Sequence, residues 1–583
     1  MTKLDYDLGL NDKAIERLKK CYLWRDEKGN VVETPYGLVK RVTKVISSTE
    51  KTASQKKKWQ EKFEEVMVNK DFWPGTMILL NAGKPQAHFG NCYVLPIDDS
   101  IEGIFQTLYD SSVVKKHGGG FGCNFSGLRP KDDSVGGIAG LAAGPVKLMR
   151  LFDDASGIYI AQNRYMGGNM IMLDTSHPDI IEFLSCKEQD GTFPWTNISI
   201  TASDAFMRAV QADRQWKLVN PRTGKTVNKI PARTIIDLAA HYAHKTGDPG
   251  LMFIDNANRN NPLAKGYGSI NCTNLCGELP LYPYEACNLG YINLVNFILP
   301  EDKQKSGKLF DYKRLGEVAK VAVRFMDDTV EAASFPVEKI TEMVKNVRRL
   351  GIGVCGWADC LAELEIPYDS DKALKLGEEL MSVVADACHE ESFELGEEKG
   401  PFPYADKSIW ARKKNKPRNI GTNTLPPSSS NAVIFNVSYS IEPFFGLAYQ
   451  LNILDGDVVS TVNETLLRKL KKHNIKVDRL IEKTMEASGS IQKIKGIPTS
   501  IKRVFKTTHD IDYKAHIKMQ AAFQKYTDNS ISKTINLPNS ATEDDVRKAF
   551  MLSWKLGCKG ITVYRDGSKQ GQVINYGSSG EKK

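Results

Sequence analysis

The sequence predicts an α/β fold, a sheet or barrel of strands with helices outside, on three observations. Short apolar runs of strand length alternate with amphipathic stretches of helix period over several hundred residues. The longest apolar stretches, such as YINLVNFILP, suit strands of a buried parallel sheet. Of the 583 residues 41% are hydrophobic, which is enough to fill a core of that size.

Taken in order, residues up to about Trp73 read as helical. KAIERLKKCYL and the region from Val42 to Val66 set apolar residues at helical spacing among many charges. FWPGTMILLNAG and GNCYVLP bring the first strand-like and loop-like material. DDSIEGIFQTLYDSSVVKK opens on acids and a serine, the signature of a helix N-terminus, and the glycine-rich turn HGGGFGCNFSG follows it. Beyond Leu141, TNISITAS predicts a strand, DAFMRAVQ a helix and GLMFIDNANR a strand and turn. LGEVAKVAVRFMDDTVEAA and LGEELMSVVADACHEESFELGEEKG predict helices, the second stopping at Gly400. AVIFNV predicts a strand. SATEDDVRKAFMLSWKLG predicts a helix with Thr542 as N-cap, acids in its first turn and Gly557 as its stop, and ITVY a last short strand. The final fifteen residues, KQGQVINYGSSGEKK, are polar and predict a loose tail.

Composition excludes several classes of function. Lys and Arg number 79 against 70 Asp and Glu, a mild excess for this length. The basic runs at 55–59 (QKKKW) and 411–418 (ARKKNKPR) lack the interleaved aromatics that stack bases, so they predict solvated surface and no nucleic-acid partner. The charged N-terminus has no apolar signal segment, and no run approaches the roughly 18 apolar residues of a membrane span. A cytoplasmic location is therefore expected, with no membrane partner. Eleven cysteines without a C-x-x-C pair then predict reduced thiols. Cys355 and Cys360, five apart in a helix-like segment, read as packed thiols, as do Cys21, Cys123, Cys186, Cys388 and Cys558, and no metal site is expected.

The chemistry concentrates in INCTNLCGELPLYPYEACNLGYINL, residues 270–294. In an extended segment Asn274, Cys276 and Glu278 point one way, although Gly277 and Pro280 fit a tight loop better than a long strand. A carboxylate beside a thiol raises the thiol pKa, and no Cys–His arrangement lies nearby, so nucleophilic attack is disfavoured. The set suits hydrogen-atom chemistry at sulfur, with Glu278 as base on an adjacent hydroxyl, Asn274 as an orienting amide and Cys287 as a source of reducing equivalents. The residues alone leave a zinc half-site, or merely buried thiols, open as alternatives.

Motifs spread over most of the chain add a resemblance. NLCGELPLYPYEACNLGYINL, MILLNAGKPQAHFGNCYVLPIDDSIEGIF, HGGGFGCNFSGLRPKD, GPVKLMRLFD, DPGLMFIDNANRNNP, SIEPFFGLAY, QAAFQKYTDNSISKTINLPNSAT and GCKGITVYRDGS together resemble the ribonucleotide reductases, most of all the adenosylcobalamin-dependent class II. The resemblance implies a ten-stranded α/β barrel at 76–568 with a central finger loop, a helical N-terminal region at 1–75 and a flexible polar tail at 569–583. It implies reduction of ribonucleotides to 2′-deoxyribonucleotides. Cys276 matches the transient thiyl radical, Glu278 the base for the 3′-hydroxyl, Asn274 the amide on the ribose, and Cys92 with Cys287 the pair that ends as a disulfide.

The further implications follow residue by residue. Ser428, Ser429 and Ser430 in PPSSSN match the substrate phosphate loop, although class II text there resembles APTGTIS, and Asn91, Gly118 and Gly119 are expected beside the substrate. Asp99, Ser100 and Ile101 match an effector site for a deoxynucleoside triphosphate, and QNRYMGGNM with Arg164 matches the loop that links effector to substrate. Effector sites in the family often sit at a dimer interface, which makes a homodimer an expected partner. Class I chains take their radical from a metal-bearing subunit through a tyrosine pair, whereas Tyr526, Tyr564 and Tyr576 stand singly here. The wording of the motifs thus implies adenosylcobalamin, the alternatives being a class I type catalytic subunit dependent on a separate radical-generating subunit and a non-catalytic nucleotide-binding paralogue. The stretch before the barrel is too short for the usual ATP cone, and no cysteine follows Cys558. An external dithiol, thioredoxin-like or carried on a separate chain, is the expected reductant. Diphosphate and triphosphate substrates are not distinguished.

Overall fold

The computed structural model describes residues 7–85, 87–136, 141–160, 167–452, 458–475 and 478–568. Ten extended segments close a barrel in two halves. The first half is five parallel neighbours: β1 (Cys92–Val94), β2 (Gly120–Asn124), β3 (Asn169–Asp174), β4 (Thr196–Ala202) and β5 (Gly250–Phe253). The second half holds β6 (Leu289–Asn293), β7 (Gly351–Cys355), the segment 422–425, β8 (Thr534–Leu537) and β9 (Gly560–Arg565). The segment 422–425 joins its neighbours through parallel bridges, Asn423 to Ile352 and Leu425 to Ile531. The halves meet antiparallel at both seams, Gly560 opposite Met252 and Tyr93 opposite Ala286. Most of these strands are buried along their length, as expected of parallel strands flanked by crossover helices. Among the described residues no helix is long and apolar enough to cross a membrane.

The N-terminal region is three helices, Asp12–Cys21, Pro35–Ser47 and Ala53–Val68, each started by a side-chain cap from Asn11, Thr34 or Thr52. The second and third seat on the barrel helix Tyr312–Ala332, where Phe63 meets Phe325 edge-on at 4.9 Å, and the first packs on the helix Ser429–Phe435. Glu50, between the second and third helices, accepts from Arg324 at 2.7 Å and Lys399 at 3.0 Å. Burial alone would raise this carboxyl, but those hydrogen bonds outweigh it and hold it at about 2.

Three local expectations are corrected. TMILLN, read with strand-like material, is a helix, Thr76–Asn81. AVIFNV, read as a strand, is the end of the helix Ser429–Phe435, closed by Asn436 in the left-handed region at φ 57°. Both are short apolar runs, for which periodicity cannot separate strand from buried helix, and tertiary packing decides. Cys355 ends β7 and only Cys360 is helical, although both are buried thiols as expected. The tail at 569–583 lies outside the described residues.

Candidate active site

The chain leaves β5 through the short helix Ile254–Arg259 and forms a hairpin inside the barrel. Cys272–Thr273 pairs antiparallel with Pro280–Leu281, and 274–279 is the tip. Gly122 of β2 makes room for it, since a Cβ there would sit 1.8 Å from the Thr273 carbonyl oxygen. The glycine cluster HGGGFG thus brings backbone close to the finger. Its Gly119 packs on the Tyr93 ring, and Gly118 ends the helix Ile101–Lys116.

The tip is a turn, as Gly277 and Pro280 predict, rather than an extended strand with alternate side chains on one face. Gly277 sits at φ 82°, where a side chain is strained. The Asn274 side-chain oxygen, Oδ1, accepts from the N–H groups of Gly277 and Leu279, both at 3.1 Å. Below the tip, the Glu278 main-chain carbonyl accepts from Ser530 N–H and from Thr424 Oγ1, both at 2.8 Å. With the loop so fixed, two polar atoms are left over. Asn274 Nδ2 and Glu278 Oε2 are buried without a hydrogen-bond partner, and an orphaned pair of that kind is what a hydroxyl-bearing ligand would satisfy.

Three sulfurs converge on the same place. Cys92 of β1 and Cys287, just before β6, are joined by a backbone hydrogen bond, Cys287 N–H to Cys92 O at 2.8 Å. Both thiols of Cys276 and Cys287 hydrogen-bond Cys92, and with the N–H groups of Leu275 and Gly120 they hold it well below the ordinary thiol range. The same bonds work in reverse on the donors. Cys276 is pushed up by its bond to Cys92, by burial and by the charge of Glu278, and Cys287 by burial and then Cys92. Any negative charge in the cluster therefore rests on Cys92. Cys92 and Cys287 are buried, whereas Cys276 is exposed although protein surrounds it on most sides, because the space it faces is internal. Burial, then the Cys92 charge, pushes Glu278 up to about 8. The Asn274 amide is near enough to favour the ionised carboxylate without being aligned as a hydrogen bond.

The other expected residues divide. Ser428 and Ser429 line a cavity of about 930 Å³ together with Arg17, Tyr439, Ser440 and Phe444. Ser428 Oγ accepts from Ser440 N–H at 2.7 Å, and Ser430 Oγ from Arg17 Nη2 at 3.0 Å. Asn91 adjoins Cys92, and its side chain accepts from Met77 N–H at 3.4 Å. Asp99, Ser100 and Ile101 stand away from the thiols. Asp99 pairs with Arg129 at 2.8 Å, Ser100 caps the helix Ile101–Lys116, and Ile101 is exposed. Arg164 and most of QNRYMGGNM lie outside the described residues.

Sequence reasoning missed four residues. Tyr291 donates to Pro427 O at 2.8 Å and lies close enough to Glu278 and Cys276 to feel their charge, which ties the serine loop to the finger. Lys115 is buried, donates to Gly167 O at 2.7 Å and feels the Cys92 charge. Thr424 and Ser530 hold the finger. A sequence signal existed only for Lys115, next to the glycine cluster, and nothing distinguished it there from Lys116.

Comparison with known proteins adds the following. The family model described as ribonucleotide reductase, barrel domain, matches residues 90–564, and that described as ribonucleotide reductase, all-alpha domain, matches residues 8–87. The chain is 43% identical over 523 residues to a vitamin B12-dependent ribonucleoside-diphosphate reductase of Thermoplasma acidophilum, covering 90% of this chain and 67% of that one. It is 39% identical over 573 residues to the protein of the same name from Mycobacterium tuberculosis strain H37Rv, covering 98% and 80%. Among solved structures, the class Id ribonucleotide reductase alpha subunit of Actinobacillus ureae superposes with a TM-score of 0.79 at 22% identity, over 97% of this chain and 99% of that one, a likeness of fold.

Proposed function

From the premise that the chain belongs to the ribonucleotide reductase family, we propose how its own residues carry out the reduction of ribonucleotides to 2′-deoxyribonucleotides. The single observation that carries the assignment is the convergence of Cys92, Cys276 and Cys287 beside the unpartnered Asn274 Nδ2 and Glu278 Oε2. Cys276, the exposed thiol of the three, takes the 3′-hydrogen atom once its own hydrogen has been removed, and later returns it. Glu278 accepts the 3′-hydroxyl proton, and a pKa near working pH lets one carboxyl accept and release it. Asn274 Nδ2 holds a ribose hydroxyl. The C2′–O bond breaks and a C2′–H bond forms, the oxygen leaving as water. Cys92, once it has taken a proton, and Cys287 supply the two hydrogens and two electrons and close as a disulfide. Their adjacent backbones, joined by the hydrogen bond from Cys287 N–H to Cys92 O, support the proximity a disulfide needs.

The radical source we propose is adenosylcobalamin, and the residues fit it. Cys276 is the one thiol of the three that faces open space. The cavity of about 930 Å³ is at the large end of small-molecule sites, and the buried Ser440 hydroxyl on its wall has no partner. Tyr439, Ser440 and Phe444 would hold the cofactor, and Ser428 to Ser430 with Arg17 the substrate phosphates. When bound, the cofactor supplies an organic radical by homolysis of its cobalt–carbon bond. The barrel encloses the buried Cys92 and Cys287, which shields the reducing pair from side reactions.

We also propose a homodimer. Ile101, Phe105 and Tyr109 repeat every four residues on one helix and are exposed, next to exposed Ile158 on the packed helix Pro145–Ile160. A stripe of this kind marks an association surface, and Asp99 and Ser100 at its end support an effector site there. The reading is tested by assaying the purified chain with an external dithiol, with and without adenosylcobalamin. Turnover confined to the cofactor-containing reaction is expected. Turnover that needs a second, metal-bearing subunit would overturn the choice of radical source.

A further inference from the structure

A second cavity, of about 360 Å³, lies under the base of the finger, on the side from which the hairpin enters the barrel. Pro280 of the finger, Thr422, Asn529 and Lys559 line it, with His389 and Trp410 near its rim. Its charged lining is unbalanced, with Arg349, Lys525 and Lys559 against Asp386 and Asp528. Lys559 is the unusual member. It is 6% exposed, no carboxylate lies within 4.0 Å of it among the described residues, and its one hydrogen bond runs to the main-chain carbonyl of Asp528 at 2.6 Å. An ammonium has three donors, so two are left over in a place where an uncompensated charge is costly.

The nearby carboxylate of Asp528 favours that charge from a distance, but its own oxygens are bonded elsewhere. Asp528 Oδ1 accepts from His389 at 2.8 Å, and Oδ2 accepts from Thr422 N–H and Oγ1 at 2.8 and 2.9 Å. Arg349 binds Glu285 through Nε and Asn529 through Nη1, both at 2.9 Å, and its buried Nη2 has no partner. Two buried cations with spare donors thus border one cavity, beside an indole.

We propose that this cavity binds a small phosphate-bearing molecule, its oxyanion on Lys559 and Arg349 and its body against Trp410, and that the occupant braces the finger. A tetrahedral oxyanion has enough acceptors for several donors at once, and the volume is at the lower end of small-molecule sites, about 300–1,000 Å³. The bracing follows from connectivity. Thr422 lies two residues before Thr424, and Asn529 precedes Ser530, the two groups that hold the Glu278 carbonyl. This site is separate from the thiols and does not rest on the roles given to them.

The test is trace acetylation of the wild-type chain at pH 8, with Lys559 followed by peptide mass spectrometry and exposed Lys225 as reference. Burial brings the Lys559 ammonium down to about 8, so the free amine is present there. Inorganic phosphate, AMP and adenosine are the probes. Ligand at ten times its dissociation constant should slow Lys559 acetylation about tenfold relative to Lys225. Protection by phosphate and AMP alike assigns free phosphate, and protection by AMP alone assigns a phosphate ester. Protection by neither, or by adenosine as strongly as by AMP, overturns the proposal. Equilibrium dialysis gives an independent measure. Lys559→Gln should bind one phosphate fewer per chain than wild type, and unchanged stoichiometry would also overturn it.

Discussion

Glu278→Gln should make the protein inactive and, at alkaline pH, more stable. The carboxyl is buried at the finger tip, with Oε2 unpartnered, and its pKa is pushed up from 4.5 to about 8 by burial and then the Cys92 charge. Because the folded pKa lies above the unfolded one, the folded state binds the proton more tightly. The resulting stabilisation is complete below pH 4.5 and is lost as pH rises through 8. Glutamine does not titrate, so the stability gap between variant and wild type should widen by about 1.4 kcal/mol per pH unit over that window. It should level off near 5 kcal/mol above pH 8 (about 3.5 units at 1.36 kcal/mol each), an order-of-magnitude limit. Unfolding entropy of roughly 2.1 cal/mol/K per residue over the chain gives on the order of 1.2 kcal/mol per degree. The difference in Tm should therefore grow by about 3 °C between pH 5.5 and pH 9. Paired thermal scans at the two pH values measure it, with a dithiol-driven turnover assay alongside. A gap that does not change with pH would mean that Glu278 ionises freely and is not held for a ligand. Retained turnover in the variant would remove it from the chemistry.

Cys276→Ser should abolish turnover while moving Tm by no more than about 1 °C, since the side chain is exposed; a shifted Tm would make the cysteine structural. Wild-type enzyme given substrate and cofactor without dithiol should stop after about one turnover and lose two hydrogens to a Cys92–Cys287 disulfide, seen by peptide mass spectrometry; a disulfide between any other pair contradicts the site. Thr424→Val removes the hydroxyl that binds the Glu278 and Ser530 carbonyls, and should cost about 1–2 kcal/mol and lower kcat with KM little changed. Phe105→Asp should convert a dimer to monomers in light scattering and weaken effector response, while an unchanged mass would move the interface elsewhere.

What was legible in the sequence was mostly local. The caps at Ser100 and Thr542 and the stop at Gly400 form as read, because a helix end depends on side chains a few residues away. TMILLN and AVIFNV were misread because their conformation is set by what they pack against. The finger set was legible as a cluster, since Asn274, Cys276 and Glu278 are close in sequence. Its geometry was only half legible, because Gly277 announces the turn while the anchors Thr424 and Ser530 come from far along the chain. No spacing rule joins Cys92 to Cys287; the barrel seam does, where Tyr93 bridges Ala286. Lys559 and the spare donor of Arg349 were invisible for the same reason, since an unpaired charge or donor shows only once its surroundings are known.

The protonation pattern of the site has a consequence for its redox cycle. On the roles proposed above, Cys276 keeps its hydrogen in the resting state and Cys287 has one to give, so both stay neutral and a charge in the cluster falls to the third sulfur. The acceptor geometry puts that charge on Cys92, which receives two S–H groups and the N–H groups of Leu275 and Gly120, with Lys115 close enough to feel it. That charge in turn helps keep Glu278 protonated. Closing the Cys92–Cys287 disulfide removes the charge, and with it the second of the two causes that raise Glu278. The carboxyl should then ionise at lower pH in the oxidised enzyme than in the reduced one. Repeating the paired Glu278→Gln scans on disulfide-closed protein measures this directly. The pH window over which the Tm gap widens should end earlier in the oxidised form, and an unchanged end-point would show that burial alone sets Glu278, with no thiolate at Cys92.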